Sequence, residues 1–230
     1  MGNEETGQKQ SPRPRNSELL SDVAYTRILE KLFDRGLPAG SFVSQSHLVD
    51  LLQVPVAPLR DALRVLEAEG ILRIHPRAGI EFVKPGLELT KSTYQFRTIL
   101  ERAAVRIFAE TGDDRVIDQL SDSHADLLAN IQNDGLNATA LEELERLEFE
   151  LHTAIIGILD NPLVENSYKR MHNYLRLVRL DRRLTAPLAI RSLEEHVQII
   201  DACKARDADA AEMALNAHFT AALQRHMGLF

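Results

Sequence analysis

Four side chains in the second half of this 230-residue chain have types and spacing that could hold a metal ion: Glu148, His152, His196 and His218. Glu148 and His152 stand four residues apart, so both lie on one face of a helix. Ile155, Ile156 and Leu159 continue near that face and turn it inward. His196 falls between Leu193 and Ile200 at helical spacing, and His218 between Leu215 and Ala222, so these two also face a core. Three inward imidazoles and a carboxylate from three helices can converge inside a bundle. That donor set suits a borderline divalent ion such as Zn, Ni or Mn. The competing reading is that each histidine is a core residue satisfied by its neighbours. Arg97 joins the set from another helix, where its spacing to Phe96 and Leu100 places it near the interior. A buried guanidinium needs an anion. Glu101, one turn on, could supply it; the favoured alternative is the carboxylate of a small ligand that also coordinates the metal.

The elements that must position these groups are helical. From Leu89 onward the apolar period is close to 3.6, interrupted near Thr111-Gly112-Asp113, Asn133-Asp134-Gly135, Asp160-Asn161-Pro162, Thr185-Ala186-Pro187 and Arg206-Asp207. Six helices follow, roughly 89–111, 114–132, 138–159, 162–183, 188–205 and 208–227. The chain is therefore mainly α, with an all-α helical bundle over residues 86–230. Apolar content is 44% and aromatics only 5%, ordinary for a globular protein and poor in strand formers. The single cysteine, Cys203, excludes an internal disulfide and fits a reducing, cytoplasmic location. The first ten residues lack an apolar signal segment, and no window is apolar enough to span a membrane.

The first part has a different character. Residues 1–17 are polar and aperiodic and read as a disordered tail, whose Arg13 and Arg15 could also serve as an arm in a minor groove. Residues 18–85 read as a winged helix-turn-helix. A helix over about 19–35 ends at Gly36. A second starts after Ser44, a plausible N-cap, and Leu52-Gln53-Val54-Pro55 forms the turn. A third covers about 57–69, with Pro58 tolerated in its first turn. Residues 71–74 and 80–83 then form a two-stranded β-wing. On this scheme Ala57 and Arg60 on the third helix meet the major groove, Arg64 either joins them or is a solvated surface residue, and Arg77 and Gly79 at the wing tip meet a minor groove or phosphate. The net charge of −7 does not exclude DNA binding, because residues 1–86 carry 11 basic and 11 acidic side chains. The whole excess of acid lies in residues 87–230, away from the head.

The stretch from Leu48 to Leu72, LVDLLQVPVAPLRDALRVLEAEGIL, resembles the DNA-binding segment of GntR-family regulators, most densely at Arg60, Asp61, Ala62, Leu63, Arg64, Leu66, Glu67, Glu69 and Gly70. GLPAGSFVSQSHL before it resembles the family's entry segment. One departure matters. Pro55-Val56 stands where the family usually has Ser-Arg, whose serine caps the recognition helix and whose arginine reads guanine. Proline has no capping oxygen, and valine suits a thymine methyl instead.

The second part resembles the helical ligand-binding (FCD) domain of the FadR subgroup, in its six-helix, VanR-like form. Phe96 to Glu101, Glu148 to His152 with Asp160-Asn161-Pro162, and Glu195 to Ala202 with Asp207 and His218 carry that likeness. It implies that Glu148, taking the place of the usual aspartate, and the three histidines ligate a metal, and the coincidence of four positions favours this over satisfied core residues. His47, His75, His124, His172 and His226 match no motif position and read as structural or surface residues. The resemblance implies a homodimeric transcriptional regulator, repressor more readily than activator, reading a pseudo-palindromic DNA operator under the control of a small carboxylate effector. A regulator that senses the ion itself is the second reading. A bundle metalloenzyme is the third, disfavoured because the chain has no H-E-x-x-H, nucleophile elbow or phosphate loop and because the head would be unexplained.

Overall fold

The computed structural model describes residues 15–180 and 184–228. The chain divides into two compact units, with the boundary in sequence between Lys84 and Pro85.

In the first unit, α1 (Arg15–Phe33), α2 (Gln45–Leu52) and α3 (Val56–Ala68) enclose an apolar core of Ala24, Ile28, Leu32, Leu48, Leu59, Leu63 and Leu66. The first helix begins at Arg15, so residues 15–17 are helical rather than tail; Arg13 lies outside the described residues. Ser44 caps α2 by accepting from the His47 N–H at 3.1 Å. Gln53 takes left-handed angles (φ 51°) to end that helix. Arg27 from α1 donates to the Leu52 carbonyl at 2.7 Å, satisfying one of the carbonyls that α2 leaves open. Pro55 precedes α3 with no side-chain cap. The deficit is partly offset because Pro58, in the same first turn, removes one N–H that would need a partner.

The wing has three strands rather than two: β1 (Phe42–Val43), β2 (Leu72–His75) and β3 (Gly79–Phe82), antiparallel in the order β1-β3-β2. Val43 pairs with Ile80, and Ile74 pairs with Ile80 from the other side. A two-residue strand shows no alternation, so the sequence gives no sign of β1. Gly79 is needed where the strands meet. Its φ is +125°, and a Cβ there would stand 2.7 Å from the Val43 carbonyl oxygen.

The second unit is a bundle of α4 (Leu87–Thr111), α5 (Asp114–Asp134), α6 (Ala138–Gly157), α7 (Pro162–Leu180), α8 (Ala186–Lys204) and α9 (Ala208–His226). Side chains of Asp113, Asn137 and Asp207 cap α5, α6 and α9. Asn161 accepts from the Leu163 N–H at 3.0 Å at the start of α7. Arg206 donates to the Ala109 and Gly112 carbonyls at 3.1 and 2.9 Å, closing the end of α4. Tyr94, Val105, Phe108, Leu151, Ile155, Ile199, Leu215 and Phe219 form the main core. Among the described residues no helix is long and apolar enough to cross a membrane.

Candidate metal centre and DNA-facing surface

Every helix of the bundle sends a polar side chain to one place. Glu148 and His152 come from α6, His196 from α8 and His218 from α9, and all four are buried. One ligand atom from each lies within 4.8 Å of the others. Around them stand Arg97 and Glu101 on α4, His124 on α5, Arg179 on α7, Glu195 on α8 and Arg225 on α9. So many buried polar groups are stable only if each finds a partner.

The partners follow a pattern. His152 turns Nδ1 to the Glu101 carboxylate at 2.6 Å. His218 turns Nδ1 to Glu195 at 2.9 Å. Glu195 is held in turn by Arg225, whose Nη2 donates at 2.6 Å. His196 turns Nδ1 to another ring, that of His124, at 3.3 Å. In all three histidines it is Nε2 that is buried without a hydrogen-bond partner. The Nε2 atoms of His152 and His196 stand 3.6 and 3.4 Å from the Glu148 carboxylate. A carboxylate accepting at Nδ1 fixes the ring proton there and leaves Nε2 a bare lone pair, the form in which imidazole binds a metal. With two rings oriented in this way, a third turned to His124, and Glu148 beside them, the set fits a divalent cation.

The electrostatics agree. Burial holds His152 and His196 well below the ordinary histidine pKa, with Arg97 adding to it at the first and His218 at the second. Both rings are thus neutral, as ligands must be. Burial alone would raise the Glu148 carboxyl, but the permanent charges beside it, Arg179 first and Arg97 after it, keep Glu148 well below the carboxylate range. At Glu195 burial is likewise outweighed, by the hydrogen bonds from Arg225 and His218.

Arg97 is buried completely and donates from Nε to Glu101 at 2.8 Å. Of the two anions open to it from sequence, the structure thus supplies the internal one. Its Nη1 reaches Glu148 at 3.5 Å, its guanidinium lies 4.5 Å from the Phe219 ring, and its Nη2 has no partner. That leaves one donor for a further anion. Arg179, Arg225 and His124 are contributors that the sequence does not single out. Arg179 pairs with Glu148 from α7; its place one turn beyond Leu175 and two beyond Met171 was the available signal. His124 is buried against His196, not a bystander.

In the first unit, Ala57, Arg60 and Arg64 are exposed along α3, and Arg77 is exposed at the turn between β2 and β3 with φ 68°. Arg60 Nε donates to Gln45 at 3.3 Å, and Arg64 sits 3.5 Å from Asp61. Val56, at the head of α3, is 43% exposed, so the residue replacing the usual arginine is free to be read from outside. Gly79 has the packing role given above.

Residues 20–82 match the family described as bacterial regulatory proteins, gntR family, and residues 92–221 match the FCD domain. The chain is 23% identical over 195 residues to the uncharacterized HTH-type transcriptional regulator YdhC of Bacillus subtilis, covering 85% of each. It is 26% identical over 229 residues to the HTH-type transcriptional repressor NanR of Citrobacter rodentium, covering 90% of this chain and 83% of that one. Among solved structures it is similar in fold to E. coli McbR/YncC, with a TM-score of 0.72 at 17% identity over 91% of this chain and 98% of the other.

Proposed function

The chain belongs to the GntR family of bacterial regulatory proteins, with an FCD domain as its second half, and on that footing we propose that it is a DNA-binding transcriptional repressor whose operator affinity is set by a small carboxylate held at a divalent metal. Its domains and relatives are those of transcriptional regulators and not of enzymes. The observation that carries the proposal is the gathering of Glu148, His152, His196 and His218, one ligand atom of each within 4.8 Å of the others, with Nε2 of every ring unpartnered and Nδ1 of every ring turned to a neighbour. Glu148, His152, His196 and His218 hold the ion, which is Zn, Ni or Mn by the borderline character of the donors. With these four residues holding it, the ion's positive charge would favour a carboxylate as a further ligand. When bound, the ion supplies a positive charge that draws an anion into an otherwise closed bundle. The free Nη2 of Arg97 supports a role in gripping a remaining oxygen of that anion by a charge-assisted hydrogen bond.

The head works on the outside of the molecule. Arg60 and Arg64 meet base edges or phosphates, Ala57 and Val56 favour a thymine methyl, and Arg77 with Gly79 follows the backbone at the wing. A homodimer in the cytoplasm reads a pseudo-palindromic operator, one head on each half-site. The effector acts by binding one arrangement of the dimer better than another. The test is a DNA titration of metal-loaded protein against a panel of short mono- and dicarboxylic acids, with chelated protein as the control. An acid that changes operator affinity only in the loaded protein supports the proposal. A response to chelation alone, with every acid inert, would instead make the ion itself the signal.

A further inference from the structure

The three ligand rings are supported from behind in two different ways. His152 and His218 each have a carboxylate at Nδ1, Glu101 and Glu195. His196 has none. Its Nδ1 is 3.3 Å from Nε2 of His124, with the ring centroids 5.3 Å apart at an interplanar angle of 64°. His124 is fully buried, and its own Nδ1 lies 2.7 Å from the Leu120 backbone carbonyl, one turn back on α5.

The proton positions follow from chemistry. A carbonyl oxygen only accepts, so His124 carries its ring proton on Nδ1. His124 is fully buried, and its hydrogen-bond partners among the described residues are a carbonyl and another imidazole, with no carboxylate to hold a second proton, so the ring has one proton and its Nε2 is an acceptor. His196 must then donate from Nδ1. As a neutral ring it has no second proton, and its Nε2 faces Glu148 as a lone pair. A backbone carbonyl of α5 thereby sets the tautomer of a side chain two rings away.

We propose that His124 is a positioning residue for the metal centre: it fixes His196 in the tautomer that presents Nε2 to a divalent ion. The inference rests on the metal-binding reading above and adds to it a support on α5 outside the four-residue set. A neutral imidazole polarises its partner less than a carboxylate does, so His196 is the least basic of the three ring ligands. Through it the centre is tied to α5 as well as to α6, α8 and α9.

The direct test uses the full-length, metal-free wild-type protein labelled with 15N at histidine. Long-range proton–nitrogen correlation should show His196 protonated at Nδ1 and bare at Nε2, and the reverse tautomer would overturn the proposal without any variant having to fold. Zn2+ affinity, measured by competition with a chromophoric chelator, gives the second arm. His124→Phe keeps a planar ring in place but removes the acceptor, and should weaken Zn2+ binding about 10-fold or more, within the range for lost outer partners. His124→Gln restores an acceptor and should recover most of that loss. Unchanged affinity in His124→Phe, or an equal loss in both variants, would overturn the role given to His124 while leaving the centre intact. Wild-type protein that binds neither Zn2+, Ni2+ nor Mn2+ would instead overturn the metal-binding reading on which it rests.

Discussion

The head and the body of this protein keep their chemistry in opposite places. On the head, Arg60, Arg64 and Arg77 are exposed, and the two on α3 are held only by long contacts of 3.3 and 3.5 Å. In the body, Arg97, Glu101 and His196 are buried completely, and Glu148, His152 and His218 nearly so. An exposed charge costs little and waits for a partner from outside, so its neighbours carry little record of its purpose. A buried charge must be matched within the molecule. The neighbours then record the constraint, and on the metal-binding proposal the ring nitrogens they leave unmatched are the ligand atoms. Among the unmatched atoms at the candidate centre are Nε2 of His152, His196 and His218 and one Arg97 nitrogen.

The sharpest contrast should come from Glu101. Glu101→Leu leaves the Arg97 guanidinium buried without its closest anion, at an expected cost of about 3–5 kcal/mol in the metal-free protein. Urea unfolding would read this directly; a loss under about 1 kcal/mol would mean that the body tolerates unmatched charge as the surface does. His152→Ala comes next. An ion present at a thousand times its dissociation constant stabilises the fold by about 4 kcal/mol, and that increment should vanish in the variant. Thermal unfolding with and without Zn2+ separates the lost increment from the smaller change in the metal-free form.

In the head the same scale of perturbation should leave folding alone. Arg60→Ala should weaken operator binding by about 1–3 kcal/mol, with no change in melting temperature. Binding by an anisotropy titration and unfolding by calorimetry check the two halves of that statement, and a substantial fall in stability would place Arg60 among the structural residues. The smallest effect is expected from Pro55→Ser. A serine cap is worth about 0.5–2 kcal/mol in general. Here Pro58 has already removed one needy N–H and the proline restricts the unfolded chain, so the net change should stay within about 0.5 kcal/mol. A larger gain would show that the start of α3 is strained by its missing cap.

The two regions also differ in how far they were legible in the sequence. All six helices of the bundle follow from apolar period and break residues, because long amphipathic helices carry a strong signal. Inward facing of Glu148, His152, His196 and His218 follows from the same period, and the structure brings the four together. What period cannot give is the partner across the bundle. Arg179 on Glu148, Arg225 on Glu195 and His124 on His196 join residues 31, 30 and 72 positions apart, and no local pattern links such pairs. The pairing of Arg97 with Glu101 lay within reach because it spans one helical turn. In the head, the cap at Ser44 was legible from residue type, whereas β1 was not, being two residues long and set by its pairing with β3.

The most direct measurement is a calorimetric titration of metal-free protein with Zn2+, Ni2+ and Mn2+, wild type beside His152→Ala. If the unpartnered Nε2 atoms are ligands, at least one ion binds the wild type at about one per chain, as a single closed set of donors requires, and binding is lost or greatly weakened in the variant. No binding by the wild type, or equal binding by both proteins, would contradict a metal centre built on Glu148, His152, His196 and His218.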